Sequence, residues 1–69
     1  MKKFVKIFDT YINADNVAYV EATGPKNFRI TMVGGSTIVG TFGTNDRGVT
    51  KHYISDVIIA LETGVNLEN

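Results

Sequence analysis

The side chains able to carry chemistry are few and poorly grouped: one histidine, His52, no cysteine, and seven carboxylates set against seven basic residues. His52 and Asp56 stand four residues apart, a spacing that on a helix face can hold a metal or form a charge pair, and the charge pair is the ordinary outcome. A single histidine without cysteine excludes Cys–His nucleophilic catalysis and a multi-histidine zinc site within one chain. Ser36 and Ser55 are not framed by the glycines of a nucleophile elbow, so no serine triad can be written. Gly34-Gly35-Ser36-Thr37 lacks the lysine of a phosphate loop and runs into a strand instead of a helix N-terminus. Asn45-Asp46-Arg47-Gly48 lacks the spaced carboxylates of a calcium loop and reads as a flexible connection. The expectation is a non-enzymatic protein without metal or cofactor.

Binding remains. Basic residues gather as Lys2, Lys3 and Lys6 and as Arg47, Lys51 and His52, but the formal net charge is zero, so no long-range field draws polyphosphates. A single-stranded nucleic-acid module is the alternative, with Tyr11 and Tyr19 stacking on bases and Lys6, Arg29, Arg47 and Lys51 near phosphates.

The elements that must position these residues are legible as alternation and punctuation. Phe4 to Phe8 is apolar and β-prone, and with Tyr11-Ile12 it forms one bent strand or a tight hairpin. Asn13-Ala14-Asp15-Asn16 favours a turn through local side-chain hydrogen bonds. Val17 to Thr23 is a strand, Gly24-Pro25-Lys26-Asn27 a loop, and Phe28 to Phe42 two strands joined at Gly34-Gly35. A two-residue turn there pairs Met32 with Thr37, Ile30 with Val39 and Phe28 with Thr41. One face then holds Phe28, Ile30, Met32 and Val39, with Ala18, Val20 and Ala22 from the preceding strand. The other face holds Tyr19, Glu21, Arg29, Thr31, Val33, Ile38 and Phe42. That is too apolar for a solvated sheet, which makes Tyr19, Arg29, Val33, Ile38 and Phe42 a candidate interface. A twisted sheet closing into a small barrel, with Phe4 and Phe8 of the N-terminal strand over that face, is the alternative.

Beyond the polar loop Gly43 to Gly48, Thr50, Tyr53, Ile54, Val57, Ile58 and Leu61 follow the i, i+3, i+4, i+7 series of one helical face. Gly64 stands where a left-handed C-cap belongs. The spacing predicts a helix from about Thr50 to Thr63, its stripe lying where Ala18 and Ala22 leave room, with Ile59 left among polar residues as a further interface candidate.

A chain of 69 residues buries only about 60% of the surface its unfolded form exposes. Without cysteine to staple it, association with a partner subunit becomes the leading stabiliser. Lys6 and Asp9 break the apolar stretch after Met1-Lys2-Lys3, so no signal peptide is expected, nor any membrane-spanning run. A cytoplasmic protein is expected.

Phe4-Val5-Lys6-Ile7, Thr10-Tyr11-Ile12-Asn13, Asp15-Asn16-Val17, Tyr19-Val20-Glu21 and Gly34-Gly35-Ser36-Thr37-Ile38 together resemble the pattern of small bacterial and phage-borne β-meander proteins, including the flagellar FlbD type. The resemblance covers about the first forty residues and implies a short accessory or regulatory protein with no catalytic residues. Tyr11-Ile12-Asn13, Asp15-Asn16-Val17 and Tyr19-Val20-Glu21 are also similar to the start of LytTR-type DNA-binding domains, which implies DNA contact.

The expected architecture is a single α+β domain over residues 1–69, a four- to five-stranded antiparallel meander with one C-terminal helix packed on one face. The expected role is an accessory or regulatory protein acting through self-association or protein binding, phage-encoded in one version. Besides the nucleic-acid module, an inhibitor of a host enzyme or defence protein is the other alternative.

Overall fold

The N-terminal apolar segment folds back on itself. In the computed structural model, which describes residues 3–69, strands β1 (Phe4–Ile7) and β2 (Thr10–Asn13) pair antiparallel around Phe8-Asp9. Lys2 of the N-terminal basic cluster lies outside the described residues. Asn13 then accepts a hydrogen bond from the Asp15 N–H at 3.1 Å and starts a single 3-10 turn, Ala14–Asn16. Three further strands follow, β3 (Val17–Ala22), β4 (Asn27–Met32) and β5 (Thr37–Thr41), in the order β3-β4-β5, and then helix α1 (Ile54–Thr63). The architecture is α+β, with five antiparallel strands in two separate sheets and one C-terminal helix.

Register decides which residues are inside, and it departs from the expectation at the glycine turn. Met32 N–H donates to Ser36 O and Gly35 N–H to Met32 O, so the loop is Val33-Gly34-Gly35, one residue longer than a two-residue turn. Thr31 therefore stands opposite Thr37, Ile30 opposite Ile38, Arg29 opposite Val39 and Phe28 opposite Gly40. A one-residue slip turns every β5 side chain to the other face. Val39, expected in the core, is 73% exposed, whereas Ile38 packs against the core and Phe42 is buried within it. Between β3 and β4, Val20 stands opposite Ile30 and Ala22 opposite Phe28, which keeps both on the expected face. A bulge between Val17 and Tyr19 turns Ala18 out to solvent.

The core draws on every layer: Val5, Ile7 and Ile12 from the hairpin, Phe28 and Ile30 from β4, Phe42, and Val57 and Ala60 from α1. Hairpin and helix thus share the Phe28/Ile30 face of the three-stranded sheet. The sheet does not close into a barrel, and the N-terminal strand does not cover the opposite face. Phe4 points to solvent, while Phe8 meets Phe28 and Phe42 edge-on at centroid distances of 5.7 and 6.1 Å.

Helix α1 begins at Ile54, later than Thr50, because the Asp56 carboxylate takes the Tyr53 N–H at 2.7 Å and fixes the first turn there. Its buried line runs through Val57 and Ala60, with Ile54 and Leu61 alongside. Tyr53 and Ile58 are exposed, and Ala18 and Ala22 are not its seat. Gly64 takes the left-handed C-cap at φ 79°. The loop at Gly43 to Gly48 is ordered, since the Asn45 side chain accepts from the N–H groups of Arg47 and Val49 at 2.8 and 3.1 Å.

Residues 65–69 run back along β1, held there by one isolated bridge. Leu67 bridges Ile7 in parallel, exchanging bonds with Lys6 O and Phe8 N–H, and Asn69 reaches Gly43 and Thr41. This tail closes the outer edge of β1.

Candidate functional site

Alternation in the three-stranded sheet leaves one face without a layer over it. Its side chains stand in rows across the strands: Tyr19, Thr31 and Thr37; then Glu21, Arg29 and Val39; then Asn27 and Thr41. Arg29 is held by Glu21, with Nη2 and Nε at 2.6 and 2.7 Å from Oε1, and the Thr41 hydroxyl donates to Asn27 Oδ1. The Thr31 hydroxyl is buried and, among the described residues, is the side-chain polar atom left without a partner.

Edges are treated unequally. The outer side of β1 is taken by the tail, and β3 carries its bulge and packs against α1. Among the described residues, strand β5 has no strand beyond it. Because Ser36 and Phe42 bond back toward Met32 and Lys26, alternation in the ladder aims the N–H and C=O groups of Thr37, Val39 and Thr41 outward. Among these, Thr41 O receives a long 3.4 Å bond from Asn69 Nδ2. From Ser36 to Phe42 the strand and its flanks carry no charge, no proline and no bulge. Proteins ordinarily use those devices to blunt an edge.

A groove of about 180 Å3 runs along this edge, between β5 and the hairpin; Ile12, Phe28, Ile38 and Gly40 line it on the apolar side, and Asp9 and Thr10 of the hairpin turn on the polar side. Gly40 makes the groove possible: a Cβ there would collide with the Phe28 ring, which covers the bare backbone opposite it.

Compared with protein-family models, curated proteins and solved structures, the chain gives no match. The geometry alone must carry the functional argument.

Of the candidate interface residues, Tyr19, Arg29 and Val33 lie on or beside the open face, Ile38 and Phe42 face the core, and Ile59 is exposed on α1 beside Val65 and Leu67. The six residues of the nucleic-acid alternative divide among layers. Lys6 and Tyr11 pair on the outer face of the hairpin, Tyr19 and Arg29 stand on the open sheet face, and Arg47 and Lys51 in the ordered loop. Lys6 faces Glu68 at 3.5 Å, and Arg29 faces Glu21.

His52 precedes the helix and lies between two acceptors, its Nε2 at 2.8 Å from Glu68 O and its Nδ1 at 3.7 Å from Asp56. No cluster of three metal-capable side chains occurs among the described residues, and no helix is long and apolar enough to cross a membrane. The β5 edge was hidden by the mistaken register, although Gly40 inside a strand was a visible signal of close approach. The tail's role has no local signal, since its partners on β1 lie 60 residues away in sequence and its others 16 to 28.

Proposed function

We propose that this chain is a small non-enzymatic accessory protein that works by binding protein, a second copy of itself first, through the uncovered side of its three-stranded sheet. One observation carries this reading: hairpin and helix pack on the same face, so among the described residues no layer covers the other face or the β5 edge. In a chain this small, burying that surface against a partner adds apolar area that the monomer cannot supply. The neutral charge suits close approach of like molecules. The lack of cysteine accords with a cytoplasmic setting, and the meander resemblance with an accessory role.

Nucleic-acid binding is the weaker reading, because Arg29 and Lys6 already face carboxylates and the aromatic candidates stand on different layers. An inhibitor of a host protein would use the same open surface.

The test is solution mass by light scattering over a micromolar-to-millimolar series. A mass rising from one chain toward two or more is expected, and a monomer at every concentration overturns self-association.

A further inference from the structure

Resting on that reading, we infer that two copies join by antiparallel pairing of β5 with β5 about a two-fold axis at Val39, giving one six-stranded sheet. The strand is complementary to itself under this operation. The outward backbone groups belong to Thr37, Val39 and Thr41, so a two-fold at Val39 sets Val39 against Val39 and Thr37 against Thr41 in hydrogen-bonded pairs. Each outward N–H then faces an outward C=O, with Thr41 O shared with or released by the long bond from Asn69 Nδ2.

The side chains fit on both faces. On the open face the new neighbours are Val39 with Val39 and Thr37 with Thr41, β-branched pairs that suit a sheet surface. On the core side Ile38 of one copy falls opposite Gly40 of the other. Gly40 is where the Phe28-floored groove opens, and Ile38 is the half-buried apolar side chain beside it. Ile38 of each copy thus lies beside the Phe28 ring that covers Gly40 of the other, an apolar contact made twice by symmetry. The paired strands bring no charge together, since residues 36–42 carry none; the nearest carboxylate is Asp9, on the hairpin side of the groove. The other strand of that sheet with an outer edge, β3, offers no equivalent, since its bulge breaks the spacing and Glu21 would approach its own copy.

The absence of cysteine allows a direct experiment on the full chain. Val39→Cys is expected to form a disulfide-linked dimer about tenfold or more faster than Val33→Cys, an equally exposed site, because pairing raises the effective concentration of the facing thiols. Thr37→Cys and Thr41→Cys, mixed, are expected to cross-link to one another in preference to themselves. Val39→Lys, which sets two ammonium groups on the axis, is expected to be a folded monomer by circular dichroism and light scattering. A dimer that survives Val39→Lys and shows no preferential cross-linking at Val39 overturns the β5 pairing while leaving self-association standing. Self-linking of Thr37→Cys in preference to the mixed pair overturns the antiparallel register. A wild-type monomer at all concentrations overturns both.

Discussion

Phe8 holds φ at 56°, a left-handed conformation that costs a non-glycine residue on the order of 1–2 kcal/mol. The cost is offset because the hairpin turn aims its ring into the Phe28, Phe42 and His52 cluster. Two truncations therefore separate packing from backbone. Phe8→Ala loses the ring and keeps the strain, whereas Phe8→Gly loses the ring and releases it. Both should lower stability in urea unfolding, with the glycine variant about 1 kcal/mol the more stable of the two. The opposite order would show the turn to be unstrained. Thr31 presents a different residue-level imbalance, a buried hydroxyl with no partner. Thr31→Val keeps the shape and removes the unsatisfied group, so it should be neutral or stabilising by up to about 1 kcal/mol. A loss larger than that would mean the hydroxyl is bonded in solution.

At the scale of elements, β5 depends on Gly40 lying opposite Phe28. Gly40→Val drives a side chain into that ring and should cost roughly 1–3 kcal/mol, read from the urea midpoint, by forcing Phe28 off its position. Unchanged stability would mean that the ring does not lie there. The same strand marks the limit of legibility. Alternation in Phe28 to Met32 and the 3.6-residue spacing from Ile54 to Leu61 are local signals, and both elements are where they place them. Two glycines at 34 and 35 suit a two-residue turn as well as a longer one. The choice is made when Met32 and Ser36 bond across Val33, a difference of one residue that inverted Ile38, Val39 and Phe42 together. Helix start was misjudged for a related reason, since Thr50 and Tyr53 fit the periodicity while the Asp56 cap decides. The candidate interface is half legible: Tyr19, Arg29 and Val33 depend on β3 and β4, whose alternation holds from Tyr19 onward and fails at Ala18, where the bulge intervenes, and Ile38 and Phe42 depend on the turn.

For the whole molecule, the limiting fact is a small core, eight buried apolar side chains among the described residues, gathered from both sheets and the helix. Native stability of such a domain falls at the lower end of the usual ~5–15 kcal/mol. Phe28, central to the aromatic cluster and 2% exposed, is worth ~3–5 kcal/mol against alanine. Phe28→Ala should therefore leave much of the population unfolded at 25 °C by circular dichroism. A marginal monomer also makes association visible in melting. A second copy that binds only the folded chain stabilises it by mass action, so unfolding becomes concentration-dependent. For a two-chain species, each tenfold increase in concentration adds about 1.4 kcal/mol per dimer, or about 0.7 kcal/mol per chain, and for a domain of this length that moves Tm by roughly 3–6 °C. The wild type should show this slope by calorimetry wherever light scattering finds the dimer, and Val39→Lys should show none. A Tm independent of concentration in the wild type would place the open face and the β5 edge outside any association between copies.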